Sequence, residues 1–171
     1  LEKYVKEMAD QFEAANGATG IVMDVKTGGV LGMVSYPNYD LNNYSEVSDA
    51  RLKAAIEDGS ASLADQQLRQ WRNKALNDTY EPGSTFKPCA AVAALESGVI
   101  TPSTTILDRG IYDYYSSPQP RCWIYSSYGS THGRVNVSEA ITVSCNYFFY
   151  EVGRLTGIKT LDDYALSLIH I

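Results

Sequence analysis

Histidine and cysteine are scarce in this sequence, and they do not fall into a metal-binding pattern. The 171 residues include three cysteines, Cys89, Cys122 and Cys145, and two histidines, His132 and His170. Neither the cysteine spacing nor the histidine positions match a zinc site. We therefore predict no metal site and no cofactor, and we expect the cysteines to be small buried hydrophobic residues. A disulfide between Cys122 and Cys145 is possible only in an oxidising compartment.

Basic residues are in the minority, and long apolar runs are missing. Lysine and arginine number 14 against 20 acidic residues, so the net charge is −6, which argues against nucleic acid or an anionic membrane as the main partner. No apolar run approaches the length of a membrane span, and no signal peptide opens the chain. Because the chain begins directly in amphipathic sequence, we expect it to be part of a longer protein. The remaining composition, 44% hydrophobic and 20% charged, is that of a globular domain with a real core.

One short segment separates an irregular polar region from a long apolar run. It comprises residues 80–88, Tyr-Glu-Pro-Gly-Ser-Thr-Phe-Lys-Pro. The apolar run, Ala90–Leu95, favours a buried helix, and Gly98 is a typical C-terminal stop. The Pro-Gly pair breaks the chain, and Ser84 is a favourable N-cap. The sequence therefore predicts a helix with Ser84 at its N-terminus and Pro88 near its first turn, where a missing N–H costs little.

Ser84 and Lys87 share one face of this first turn, because they are three residues apart. A serine is a poor nucleophile at neutral pH unless a base takes its proton. A lysine can be that base only when neutral, and its reference pKa is about 10.4. The positive end of the helix dipole and burial both disfavour the ammonium, and the dipole also favours negative charge on the serine oxygen. The spacing therefore predicts a nucleophile with its base, although an N-cap serine beside a surface lysine is the alternative.

The N-terminal part of the chain predicts a helix followed by a β-hairpin. Apolar residues at helical spacing indicate an amphipathic helix over residues 2–15. Residues 20–25 and 30–35 are typical of two strands, and residues 26–29 are typical of the turn between them.

The regions between the motifs indicate mostly surface structure. Residues 43–79 are charged and polar, with short helical patterns at Asp49–Glu57 and Leu63–Trp71. Residues 99–135 are rich in Ser, Tyr, Pro and Gly, which favours loops and short strands. A last helix is predicted to start at Thr160.

A second candidate serine, Ser144, lies between two predicted helices, 60 positions after Ser84. Asn136–Glu139 resembles a capping box, and Tyr147–Gly153 indicates an aromatic helix. Ser144-Cys145-Asn146 stands between them; a lone Ser-x-Asn triplet is a weak signal, and its place between these helices strengthens it. His132 has two interpretations, a general base or a structural histidine before a turn glycine, and we prefer the structural one.

The Ser-Thr-Phe-Lys segment and the Ser-x-Asn triplet together resemble the motifs of penicillin-binding transpeptidases, in particular the monofunctional class B type. Four further segments are typical of that class: Ser35–Asn42, Asn73-Lys74-Ala75, Arg121-Cys122-Trp123 and Thr131-His132-Gly133. The resemblance covers residues 1–164 and leaves out the apolar tail at 165–171. It implies an α/β (α+β) class with a β-lactamase/transpeptidase-like fold, in which an antiparallel sheet is flanked by helices beside a helical subdomain.

The resemblance implies a serine-type peptidoglycan D,D-transpeptidase. Ser84 would attack the terminal D-Ala-D-Ala bond of a stem peptide, and Lys87 would take its proton. Ser144 would relay a proton toward the leaving group, and Asn146 would bind the substrate amide and orient Lys87. The implied partners are the stem peptide or its lipid-linked precursor, β-lactams that acylate the same serine, and other cell-wall synthesis or division proteins, but not nucleic acid. The implied location is the extracytoplasmic face of the bacterial membrane, with an anchor upstream.

The third motif of the family, Lys-Thr/Ser-Gly, does not occur after Ser144. Lys26-Thr27-Gly28 spells it ahead of the nucleophile, where we interpret it as turn chemistry. We therefore expect residues 1–171 to be a partial transpeptidase domain without its C-terminal strands, and to be inactive alone. Two other function classes stay open: a D,D-carboxypeptidase or β-lactamase, which hydrolyses the acyl-enzyme, and a non-enzymatic penicillin-binding sensor domain.

Overall fold

The computed structural model describes residues 1–168, which form two compact units, Leu1–Tyr80 and a second unit that begins at Glu81. Each unit combines helices with a two-stranded antiparallel sheet. This mixture confirms the predicted α/β (α+β) class.

The first unit opens with a helix packed on a hairpin. Helix α1 (Glu2–Gln11) contacts both strands, β1 (Ala18–Met23) and β2 (Val30–Tyr36). The helix ends earlier than predicted, because Glu13 adopts a left-handed backbone with φ of 50°, which a helix cannot continue. The two strands agree with the prediction to within two residues at each end.

The hairpin turn contains the Lys-Thr-Gly triplet. The carboxylate of Asp24 accepts hydrogen bonds from the backbone N–H groups of Lys26 (2.7 Å) and Thr27 (3.0 Å). Gly28 has a φ of 72°, a conformation that suits glycine, and its N–H donates to the carbonyl of Asp24. The local geometry therefore accounts for this triplet as a turn.

The remainder of the first unit contains further helices joined by loops. Helices α2 (Ala50–Glu57) and α3 (Leu63–Trp71) confirm the two predicted helical patterns, and each begins at a side-chain cap, Asp49 and Ser62 respectively. A third helix, α4 (Lys74–Asn77), was not predicted; it is a single turn that lacks the apolar periodicity of a longer helix.

The second unit begins with a 3₁₀ turn, Gly83–Phe86, which leads directly into helix α5 (Lys87–Glu96). The prediction that Ser84 caps this helix is therefore wrong, because Ser84 lies inside the 3₁₀ turn and Phe86 occupies the N-cap position without a side-chain cap. Gly98 ends the helix as predicted: its φ is 72°, and its N–H donates to the carbonyl of Leu95.

A small sheet and a short helix follow. Strand β3 (Ile106–Asp108) pairs with strand β4 (Gly133–Val135) in antiparallel register, Leu107 opposite Arg134. Between them lies helix α6 (Trp123–Tyr128), in a region predicted to hold only loops and strands. The sequence signal is weak, because the helix has six residues and four of them are serine or tyrosine.

The chain then forms three consecutive helices. Helix α7 (Val137–Thr142) starts at the predicted capping box of Asn136 and Glu139, and helix α8 (Asn146–Thr156) follows after a short loop. Helix α9 (Ile158–Ser167) starts before Thr160, because Gly157 turns the chain directly from α8 into α9. It therefore includes the first residues of the predicted apolar tail, while the last residues of that tail, 169–171, lie outside the described part of the chain.

The core of the second unit lies between α5 and α8. Helix α5 contributes small side chains that allow close packing against α8 and α9. Phe148 and Val152 of α8 are completely buried there. Within residues 1–168, no helix has the length and apolar character needed to cross a membrane.

Candidate active site

The four predicted site residues belong to the second unit and come from two separate parts of it. Ser84 is exposed in the 3₁₀ turn, and Lys87 is the first residue of α5. Ser144 occupies the loop between α7 and α8, and Asn146 is the first residue of α8. Packing of α5 against α8 brings both parts together at the N-terminal ends of these helices.

The Lys87 side chain joins the two parts. Its Nζ donates to the carbonyl oxygen of Ser144 (2.8 Å), to Ser144 Oγ (2.8 Å) and to Asn146 Oδ1 (2.7 Å). An ammonium has three N–H donors, so these acceptors satisfy it completely. The ring of Phe149 lies 5.7 Å from the same nitrogen, within the range of a cation–π contact.

Ser84 joins this network through Ser144. The hydroxyl of Ser144 lies 3.1 Å from Ser84 Oγ and hydrogen-bonds to it. In the described structure Lys87 makes no hydrogen bond to Ser84 itself, in contrast to the direct contact that the helix-turn spacing suggested. The network therefore runs from Lys87 Nζ to Ser144 Oγ to Ser84 Oγ.

The Ser144 backbone adopts an unusual conformation. Its φ is 52°, in the left-handed region that non-glycine residues rarely occupy, at a cost of about 1–3 kcal/mol. Backbone hydrogen bonds hold the loop on both sides: Ser144 N–H donates to Ile141, and Cys145 N–H donates to Ala140. This conformation turns both the hydroxyl and the carbonyl of Ser144 toward Lys87.

Two opposing effects set the charge of Lys87. Burial lowers the pKa of the Lys87 ammonium below its usual value, and the nearby thiols of Cys122 and Cys145 oppose that shift. The net direction is downward, so a larger fraction of this lysine is neutral than for a lysine in water. A neutral amine is the form that can accept a proton.

A second cluster of polar side chains lies in the same unit. The ligand atoms of Asp108, Cys122, His132 and Cys145 all lie within 4.8 Å of one another. Two thiols, one imidazole and one carboxylate form a donor set that suits Zn²⁺, so these are the residues that could hold a metal ion. Sequence reasoning missed the cluster, because its members have no local ligand spacing: Asp108 ends β3, His132 precedes β4, and Cys122 and Cys145 are the N-cap residues of α6 and α8.

The cysteines of this cluster behave as predicted in burial. Cys122 and Cys145 are both completely buried and free, and Cys89 is half-buried. Burial raises the pKa of the Cys145 thiol to about 12. Without a metal ion Cys145 is therefore an unreactive thiol at neutral pH.

His132 belongs to this cluster and not to the Lys87 network. Its Nδ1 lies 2.9 Å from a carboxylate oxygen of Asp108, and its Nε2 is buried without a hydrogen-bond partner in the described structure. Burial raises the pKa of Asp108, but N–H donors from Gly110 and His132 outweigh it, and the net pKa is below the usual value. These contacts favour the structural interpretation of His132 over a general base.

A cavity of about 620 Å³ lies elsewhere in the second unit. Its walls are mainly aromatic and apolar, with Tyr112, Pro118, Tyr150 and Ile158 among them, and they include none of the four predicted site residues. Cavity size alone therefore does not single out the four predicted site residues, which meet outside this cavity.

Comparison with known proteins agrees with these motifs. Residues 18–169 match the model of the penicillin-binding protein transpeptidase domain. The chain is 34% identical over 165 residues to the peptidoglycan D,D-transpeptidase MrdA of Escherichia coli K12, covering 96% of this chain and 24% of that protein. The chain thus spans about a quarter of the length of this relative.

Solved structures give the same result. The structure of Pseudomonas aeruginosa PBP2 in complex with WCK 5153 matches with a TM-score of 0.64 and 32% identity, over 94% of this chain and 34% of that one. The complex between PBP2 and MreC from Helicobacter pylori matches with a TM-score of 0.66 and 28% identity, over 93% of this chain and 28% of that one. The chain therefore belongs to the penicillin-binding protein transpeptidase family.

Proposed function

We propose that the protein containing this chain is a peptidoglycan D,D-transpeptidase that forms an acyl-enzyme on Ser84. The observation that carries the proposal is the hydrogen-bonded series from Lys87 through Ser144 to Ser84. A nucleophile, a base and a connecting hydroxyl are the groups that acyl transfer by serine requires. Membership of the family and the names of its relatives support the choice of substrate.

Acylation begins with Lys87 neutral. Ser84 O–H then donates to Ser144 Oγ, and the Ser144 hydroxyl donates to Lys87 Nζ. As Ser84 Oγ attacks the carbonyl of the terminal D-Ala-D-Ala bond, its proton passes to Ser144 and the Ser144 proton passes to Lys87. Ser84 thereby forms an ester bond, and the proton now held on Lys87 returns through Ser144 to the leaving amine as the peptide C–N bond breaks.

The second half of the reaction uses the same groups in reverse. An amine from a neighbouring stem peptide attacks the ester, its proton passes through Ser144 to Lys87, and a proton returns through Ser144 to Ser84 Oγ as the acyl C–O bond breaks. Asn146 holds Lys87 through its Oδ1, and we assign its amide N–H₂ to a substrate carbonyl. The backbone N–H of Ser84 is one oxyanion-hole donor, and the second comes from a strand that we place downstream of residue 171.

The metal-capable cluster has a structural part in this proposal. A divalent ion held by Asp108, Cys122, His132 and Cys145 would have four protein ligands, which is the pattern of a structural site. Because Cys145 stands between Ser144 and Asn146, such an ion would also fix the loop that carries both residues.

The relatives support three further parts of the proposal: the partners, the domain extent and the location of the complete protein. The H. pylori complex with MreC supports contacts of the complete protein with other cell-wall proteins. We also propose that residues 1–171 form part of a transpeptidase domain, and that the complete protein acts at the extracytoplasmic face of the membrane through an anchor outside this chain. Membership of a transpeptidase family favours transfer over the hydrolytic and sensor alternatives.

The test is labelling of the complete protein with a fluorescent penicillin. We expect a covalent adduct on Ser84, identified by peptide mass spectrometry, and no adduct in Ser84→Ala. Ser97→Ala is a matched control, since it removes a hydroxyl from the other end of the same helix. Undiminished labelling of Ser84→Ala would refute the assignment. A second assay follows a labelled stem peptide in the presence of an added D-amino acid acceptor. Transfer of its acyl group to water instead of to that acceptor would favour the hydrolase.

A further inference from the structure

Trp123 contacts the loop that presents Ser144. Its indole Nε1 donates a hydrogen bond to the carbonyl oxygen of Val143, at 3.1 Å. The ring packs beside His132, with centroids 5.7 Å apart, and meets the edge of Tyr128 at 6.4 Å. The side chain remains 42% exposed, so it lies at the surface.

The carbonyl that Trp123 binds belongs to the peptide unit between Val143 and Ser144, so its orientation is coupled to the backbone conformation of Ser144. Val143 is the C-cap of helix α7, and carbonyl groups at the C-terminal end of a helix lack partners within the helix. Rotation of the peptide unit between Val143 and Ser144 moves this carbonyl and changes the φ of Ser144 at the same time. The left-handed φ of 52° is strained, and rotation of this peptide unit is the motion that would relieve it. A donor fixed on the Val143 carbonyl opposes that motion.

The Trp123 side chain is itself held in place. Cys122, the preceding residue, is completely buried in the metal-capable cluster, and it is the N-cap residue of α6. Packing against His132 limits rotation of the indole ring. The donor is therefore anchored independently of Lys87, which holds the Ser144 loop through the Ser144 carbonyl.

We propose that Trp123 is a positioning residue for acylation: its indole N–H holds the Val143 carbonyl so that Ser144 Oγ stays between Lys87 and Ser84. This inference rests on the proposed function. It assigns Trp123 no contact with substrate, and it predicts an effect on the chemical step and not on substrate binding.

The test measures acylation of the complete protein by stopped flow over a range of penicillin concentrations, which separates the acylation rate constant from the dissociation constant. We expect Trp123→Phe, which keeps an aromatic ring and removes the N–H, to lower the acylation rate constant about threefold to tenfold, the range of one net hydrogen bond. The dissociation constant and the final extent of labelling should stay at the wild-type values. Tyr128→Phe is the matched control, because it leaves the indole hydrogen bond in place, and it should acylate at the wild-type rate.

A second variant keeps the test decisive if Trp123→Phe folds poorly. The benzothienyl isostere of tryptophan, incorporated at position 123, replaces N–H by sulfur and preserves the ring shape. A reduced acylation rate constant in this variant, at an unchanged melting temperature, would support positioning. A wild-type acylation rate constant in the folded isostere would overturn the inference while Ser84 labelling stands; failure of the wild-type protein to label at Ser84 would instead overturn the proposed function.

Discussion

Lys87→Arg distinguishes the role proposed for Lys87, that of a base, from that of a cation alone. In the structure a single nitrogen serves three acceptors at 2.7–2.8 Å, and burial lowers the pKa of this nitrogen. Arginine keeps the positive charge and can hydrogen-bond to the same oxygens, but it does not lose a proton in proteins. If the neutral amine is the base, the variant loses the whole general-base contribution, about 10²–10⁴-fold in rate.

The pH dependence of the acylation rate tests the direction of the Lys87 pKa shift. Acylation by a neutral lysine rises with pH through the pKa of that lysine and levels off above it. Because the pKa of Lys87 is lowered, the rise in the wild-type protein should be centred below the usual value of 10.5. In Lys87→Arg the rise due to this group should disappear, leaving a low rate at every pH.

The assay is the second-order acylation rate constant with a fluorescent penicillin between pH 6 and about 10, a range chosen to lie below the reference lysine pKa. Lys74→Arg is a suitable control, since Lys74 is another partly buried lysine whose pKa burial lowers, and it has no part in the Ser84 network. Wild-type rates and an unchanged pH profile in Lys87→Arg would refute the assignment of Lys87 as the base.

Two further predictions concern the groups around this lysine. Asn146→Asp places a carboxylate at a position 2.7 Å from Lys87 Nζ, which raises the pKa of the lysine; acylation at pH 7 should fall and its alkaline rise should move to higher pH, as the same rate profile will show. The cluster of Asp108, Cys122, His132 and Cys145 should bind Zn²⁺ at one ion per protein, measured by elemental mass spectrometry; Cys145→Ser should lose most of the metal and melt at a lower temperature, and a fully folded wild-type protein with no affinity for Zn²⁺ would contradict this.

The sequence was most informative where one motif determined the local geometry. The four residues Ser84, Lys87, Ser144 and Asn146 were predicted from two short motifs, Ser-x-x-Lys and Ser-x-Asn, and the fold brings them into one hydrogen-bonded network because α5 packs on α8. The exact partners were not predictable: a spacing of three residues indicates that Ser84 and Lys87 share a helix face, but the 3₁₀ turn before α5 changes their relative direction.

The sequence was least informative where structure depends on tertiary contacts. The residues of the metal-capable cluster are at least ten positions apart, so only the fold shows that they meet. Helix α6 has no apolar periodicity, and it is stabilised by the burial of Cys122 and by the partners of Trp123. Both features contact the loop that carries Ser144, through Cys145 and through the carbonyl of Val143, and neither has a local signal in the sequence.

The last prediction concerns the isolated chain of 171 residues. Its first unit exposes large apolar side chains on the two-stranded sheet, namely Ile21, Val22, Met23, Val30 and Leu31. A two-stranded hairpin is marginally stable in water without further strands or a covering layer. We therefore expect further strands of the complete protein to cover this sheet, and the isolated chain to be poorly soluble or loosely packed.

The strands that we propose for the rest of the protein also bear on the chemistry of the isolated chain. Loss of one oxyanion-hole donor costs about 10²–10³ in rate in a well-studied hydrolase, and substrate positioning would be lost as well. Acylation of the isolated chain by penicillin should therefore be at least 10²-fold slower than that of the complete protein. The measurement compares both proteins side by side, with circular dichroism to establish that the isolated chain contains its helices. Equal acylation rates would show that residues 1–171 already contain every group that acylation needs, including a second oxyanion donor, and Lys26-Thr27-Gly28 would then be the first segment to mutate.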